Sequence, residues 1–145
     1  MGKINWGRVI GGGLLAGLIM NISEFVLHAI VLKEDGQALM DELNKKGFSV
    51  KQDPNMLMIL VALTFVLGIL AVWTYAAIRP RYGAGPKTAI CAGLAVWAMS
   101  YFYCGVVVHA GWVIFPPKLV WLPVAWSLVE MPIATLAGAW LYKEE

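Results

Sequence analysis

Four long apolar runs, separated by short breaks rich in charge, proline or glycine, set the pattern of the chain. They cover about residues 9–32, 56–78, 88–115 and 119–142. A helix rises about 1.5 Å per residue, so about 20 residues cross a hydrocarbon core, and each run is long enough. The runs lack the polar alternation of barrel strands, which predicts helices. Asp53-Pro54 reads as an N-cap followed by proline at the first helical position. Arg79-Pro80-Arg81-Tyr82-Gly83-Ala84-Gly85-Pro86 breaks the chain between spans two and three, and Phe115-Pro116-Pro117-Lys118 between three and four. The expected fold is all-α and integral to a membrane: one bundle of four transmembrane helices over residues 1–145.

The connection 33–53 is the only sizeable extramembrane piece. Leu39, Met40 and Leu43 share one helical face there, which predicts a short interfacial helix over 37–46. Lys3 and Arg8 give the first span a basic start, but its apolar run exceeds a signal core and no small-x-small site comes after it. The span is therefore expected to be retained. Orientation rests on the loops. Arg79, Arg81 and Lys87 sit together without an acid, whereas Lys33, Lys45, Lys46 and Lys51 are mixed with Glu34, Asp35, Asp41, Glu42 and Asp53. Both termini are expected in the cytoplasm, with Lys118 on the far side.

Composition sharpens the class. The chain is 60% apolar and 14% charged, with a mean hydropathy of +0.72. A soluble domain carries about 25% charged residues, so lipid must cover much of this surface. That excludes a disordered chain, a disulfide scaffold and a cytosolic enzyme. A net charge of +2 does not suggest nucleic-acid binding. Cys91 and Cys104 stand more than three turns apart on one predicted helix, so they cannot bond to each other. Soluble catalytic motifs (G-x-S-x-G, a Walker A loop, C-x-x-C) are missing from the sequence, and Gly11-Gly12-Gly13 reads as helix packing. Trp6, Trp73, Trp112, Trp121 and Trp140 lie near span ends as interfacial anchors, while Trp97 and Trp126 lie deeper.

The candidate chemistry lies in the ionisable groups within the spans: Glu24, His28, His109 and Glu130. An ionised acid at the bilayer centre costs about 3 kcal/mol or more, so such groups should face protein or water. On span one, Gly13, Gly17, Asn21, Glu24 and His28 form one stripe, opening with a G-x-x-x-G pair that admits a close helix. On span four, Ser127, Glu130, Ala134 and Ala137 share a face, and Pro132 removes a backbone donor beside them. On a straight span three, Tyr101, Gly105 and His109 share a face, and Gly93, Trp97 and Cys104 a neighbouring one. By helical rise, His28 and His109 lie about 6 and 9 Å from the same ends of their spans, with Glu24 and Glu130 deeper.

Several readings of this cluster stand. Asn21, Glu24, His28, His109, Ser127 and Glu130 can form a structural hydrogen-bonded layer, with Tyr101 or Tyr103 as partners. His28 and His109 can be axial ligands of a haem, or either can bind a chlorophyll-type pigment. The Glu/His set can hold a transition metal for electron transfer, although its ligand count is short. It can also relay protons or coordinate a small solute in coupled transport. Spans one and three share Ala-Gly-Leu (Ala16, Ala92), and spans two and four share Trp-x-Tyr (Trp73, Trp140). A hairpin duplication accounts for this, as does an aromatic belt alone.

The segment 73–89, with Arg79-Pro80-Arg81-Tyr82-Gly83 at its centre, resembles the central hairpin of a family of small uncharacterised four-span bacterial membrane proteins. The ending from Trp126 to Lys143 is similar to their last helix. The resemblance implies a four-span fold and a bacterial inner membrane; the two histidines are not part of its pattern. Taken together, the expected function is that of a small non-catalytic subunit. It would associate in the bilayer with other membrane subunits, as in a respiratory or photosynthetic complex, or with itself.

Overall fold

The computed structural model describes residues 4–48, 53–111 and 114–143. Lys3, Lys51 and Trp112 lie outside them. Four helices are long and apolar enough to cross a membrane: α1 (Trp6–Val31), α3 (Pro54–Tyr82), α4 (Pro86–Gly111) and α5 (Pro117–Leu141). A short α2 (Lys33–Lys45) continues directly from α1. No strand is present among the described residues. This is a multi-pass membrane fold, and its helix edges fall within a few residues of the apolar runs.

Local chemistry places those edges. Asn5 caps α1 by accepting the Arg8 N–H at 3.0 Å, and Asp53 caps α3 by accepting the Asn55 N–H at 2.9 Å. Helix α3 does not stop at Arg79 but runs through Pro80 to Tyr82. Proline removes only its own N–H, and a final turn tolerates that loss better than a helix centre. The chain turns instead at Gly83 and Gly85, with φ of 83° and 144°, where a side chain would be strained. The Thr88 hydroxyl closes this turn by donating to the Gly83 carbonyl at 2.8 Å. On α2, Lys46 lies 2.6 Å from Glu42 and holds that exposed carboxyl below its usual range. Lys118 pairs with Asp35 at 2.7 Å and ties α2 to the start of α5.

Helix α1 packs on α3 and α5, and α4 packs on the same two, so the ring order is α1, α3, α4, α5. Packing is tightest toward the end that carries both termini, where the Arg8 guanidinium donates to the Leu141 carbonyl. The G-x-x-x-G pair of α1 is used inside the chain. A Cβ on Gly68 of α3 would stand 2.5 Å from both the Gly13 carbonyl oxygen and the Gly17 nitrogen. On the other side, a Cβ on Gly138 of α5 would stand 2.6 Å from the Gly12 carbonyl oxygen. Ala134 is buried as expected, but Ala137 is only half-buried; Thr135 and Gly138 make the close contacts of α5. Away from the termini the bundle loosens, and residues 54–63 of α3 are exposed on every face. Ile10, Leu14, Leu18, Ile22 and Phe25 form an exposed apolar stripe along α1, which suits acyl chains and not water.

The two hairpins make matching contacts. The offset that carries Gly17 onto Gly93 also carries Gly12, Gly13, Ala16 and Met20 onto Thr88, Ala89, Ala92 and Val96, and all of these are buried. The offset that carries Tyr75 onto Tyr142 carries Gly68, Ala71 and Val72 onto Thr135, Gly138 and Ala139, again all buried. Gly17 meets Phe65 and Gly93 meets Pro132, which are equivalent by the same offset. The two tyrosines meet edge to face at 5.9 Å, and the Arg79 guanidinium lies 5.6 Å from the Tyr142 ring centre. The short sequence echoes thus mark positions with equivalent packing roles, and the ring order fits two hairpins related by an axis along the bundle.

Overpacking a close crossing costs about 1–3 kcal/mol, so Gly68→Ala should lower unfolding stability in mild detergent by that order. Gly11→Ala, whose added methyl meets nothing within 4 Å, should be neutral or slightly stabilising through helix propensity. Equal effects of the two substitutions would show that the α1–α3 crossing is not close.

Candidate functional site

The polar groups of the spans gather where the tight packing ends. Two local widenings of the helices help to place them. At Leu27–Val31 the α1 backbone makes a π-helical turn, with the Leu32 N–H bonding to the Leu27 carbonyl at 2.8 Å. A second π-helical turn, Ala98–Phe102, interrupts α4. One extra residue in a turn rotates the rest of the helix by about 100°. The expected stripe of Tyr101 with His109 is not realised. Tyr101 is half-buried and reaches α1, while His109 is exposed, its ring 5.5 Å from that of Trp121.

Glu24 is the hub of the layer. Its Oε1 accepts the Tyr101 hydroxyl at 2.7 Å, and its Oε2 lies 3.2 Å from His28 Nδ1. The same Nδ1 is 3.0 Å from the Glu24 backbone carbonyl. Both neighbours are acceptors, so Nδ1 carries the proton and Nε2 is left toward the surroundings. The His28 side chain is 60% exposed against 20% for Glu24. Asn21 turns back on its own helix, donating to the Gly17 carbonyl at 2.9 Å, with a longer contact to the Val61 carbonyl of α3.

Two tryptophans complete the layer. The Trp126 indole donates to the Ser23 hydroxyl at 2.8 Å, joining α5 to α1. The Trp97 indole donates to the Val124 carbonyl at 3.0 Å and to the Ser127 hydroxyl at 3.2 Å, joining α4 to α5. Ser127, expected beside Glu130, is instead fully buried and used by Trp97. Both indoles were expected at depth, but the sequence pattern gave them no partners. The usable signal was that an indole N–H in hydrocarbon requires an acceptor.

Glu130 differs from these groups. It is 5% exposed, and neither carboxyl oxygen makes a hydrogen bond among the described residues. The Ser23 hydroxyl and the Trp126 indole face it; Ser23 accepts from the indole and keeps its own proton to donate. Beside it an apolar, open depression of about 520 Å³ runs along α5, lined by Leu122, Val129 and Ile133 with Ser23 of α1 at its edge, and the carboxyl oxygens are buried beneath it.

His28 and His109 are thus engaged separately, one by Glu24 and one beside Trp121. Among the described residues, no three of His, Cys, Asp and Glu come together as a ligand set for a metal ion. Cys91 and Cys104 are free and exposed. Compared with known proteins, the chain matches no protein-family model, no curated relative and no solved structure.

Interhelical hydrogen bonds in membranes are worth about 0.6 kcal/mol on average and up to about 1.7. Tyr101→Phe should destabilise the bundle within that range. A double-mutant cycle of Ser23→Ala with Trp126→Phe should return a coupling energy of similar size. A coupling of zero, measured by unfolding in detergent or bicelles, would show that the Ser23–Trp126 bond does not help to hold α1 against α5.

Proposed function

We propose that this protein is a small non-catalytic subunit of a bacterial inner membrane that assembles in the bilayer with larger membrane subunits or with a second copy. The observation that carries this reading is the exposure of residues 54–63 of α3 on every face. Three turns of a spanning helix whose side chains are all exposed leave room for a neighbouring helix, which gains by dispersion and packing where lipid gains little. The polar layer supports the same reading. Glu24, Tyr101, Ser23, Trp126, Trp97 and Ser127 are spent on bonds between helices, which is architecture more than reaction chemistry. The extramembrane part is slight, since α2 has 13 residues. The segment around Arg79-Pro80-Arg81 and its likeness to small four-span bacterial proteins favour a bacterial origin. A respiratory or photosynthetic assembly is the class of partner that commonly includes subunits of this kind.

Gentle extraction followed by native mass spectrometry should find the chain in a complex of defined stoichiometry. A photo-crosslinker at Met58 of α3 should capture the partner, while one at Leu14 of α1 should capture lipid. A lone monomer, with no crosslink from Met58, would overturn the subunit reading. The orientation belongs to the same proposal: reporters fused after Glu145 and within 79–87 should both read as cytoplasmic, and one within α2 as external.

A further inference from the structure

We propose that His28 is the single axial ligand of a metallo-tetrapyrrole, with its Nε2 on the metal and the macrocycle against the apolar surface beside it. The imidazole is oriented from behind. Its Nδ1 faces Glu24 Oε2 at 3.2 Å and the Glu24 carbonyl at 3.0 Å, and the Tyr101 hydroxyl donates to the other Glu24 oxygen at 2.7 Å. This fixes the proton on Nδ1 and leaves the lone pair on Nε2. A carboxylate behind a histidine, itself held by a further hydrogen bond, is the arrangement that aims metal-binding histidines and raises their basicity. The side chain is 60% exposed, so a flat group can approach it. A π-helical turn begins one residue before it, an irregularity often found where a side chain is aimed for function.

The donor count narrows the ligand. A bare ion needs several protein ligands, and among the described residues no three of His, Cys, Asp and Glu come together. Both Glu24 oxygens are engaged, and His109 stands beside Trp121 of α5. One imidazole suffices only for a metal that brings its other ligands, and a tetrapyrrole supplies the donors of its own plane. The surroundings suit that plane. Phe25 and Val31, one turn to either side of His28, are exposed and apolar. The register of Gly13 with Ile69, Gly17 with Phe65 and Asn21 with Val61 brings residues 54–58 of α3 level with 24–28 of α1. That stretch is exposed and, apart from Asn55, apolar. His28 stands three residues before the end of α1 at Val31, about 5 Å by helical rise. A macrocycle there keeps its body against the span and turns acidic arms to the interface, where Lys33 opens α2. Hairpin packing does not call for this set of side chains. The offset that relates the hairpins puts Ser100, Cys104 and Phe25 at the positions of Glu24, His28 and Tyr101.

The test titrates the full chain in nanodiscs with iron protoporphyrin IX, zinc protoporphyrin IX and the metal-free macrocycle, with empty nanodiscs as the blank. The metal-loaded forms should bind at least about tenfold more tightly than the metal-free one and show a shifted Soret band. His28→Ala should remove that preference, and added imidazole should restore the shifted band. His109→Ala should change neither. Glu24→Gln should weaken metal-dependent binding by about tenfold or more. A preference for iron indicates haem, and one for zinc, standing in for magnesium, a chlorophyll-type pigment; either supports the site. Equal affinity for the metal-loaded and metal-free macrocycles overturns the proposal, and that comparison needs no variant. Metal-dependent binding that survives His28→Ala overturns it too. So does a chain that binds no macrocycle but loses its crosslinked partner on His28→Ala, because a partner's donor would then hold Nε2. The site needs this chain alone, so it and the subunit reading, tested from Met58, stand or fail separately.

Discussion

Helix α1 comes into backbone contact with two neighbours because glycine stands at both crossings. Gly13 and Gly17 face Gly68 of α3, and Gly12 faces Gly138 of α5. In lipid there is no hydrophobic drive to press helices together, so dispersion and short-range contacts must hold them. That attraction falls off within fractions of an ångström. Everything further along α1 inherits its position from these crossings, including Ser23 opposite Trp126 and Glu24 opposite Tyr101.

The polar layer then obeys a second rule, that a polar group in hydrocarbon must find its partner within the protein. Most of the layer does so through bonds that cross from helix to helix, and these add orientation to the non-directional packing below. The π-helical turns at Leu27–Val31 and Ala98–Phe102 are local irregularities that sit at His28 and Tyr101, a common association of such turns with side chains that must be re-aimed. Glu130 stands apart as a buried acid whose facing groups are the Ser23 hydroxyl and the Trp126 indole. The hairpin-to-hairpin correspondence isolates this departure: the small buried positions repeat, and the acid does not.

Much of the architecture was legible in the order of residues. The four spans, the Asp53 cap, the glycine pair and the short helix before span two can be read directly, since each depends on neighbours along the chain. The end of α3 was less legible. Pro80 signals a break, yet the helix continues for two residues, because tolerance of a proline depends on how much helix remains to be disrupted. The separation of Tyr101 from His109 was also hidden. Positions two turns apart on one helix can meet different neighbours, Glu24 of α1 for Tyr101 and Trp121 of α5 for His109.

The sequence by itself determined that this chain is a four-span helical membrane protein, because length and apolarity of each run act within the run. It also determined which side chains are chemically unusual at depth. Only the tertiary structure decided which of them meet: Glu24 with Tyr101 and His28, Trp126 with Ser23, Trp97 with Ser127, His109 with Trp121, and Glu130 with Ser23 and Trp126. Those pairings depend on ring order and crossing depth, which arise from contacts between residues far apart in the chain, and no local periodicity encodes them.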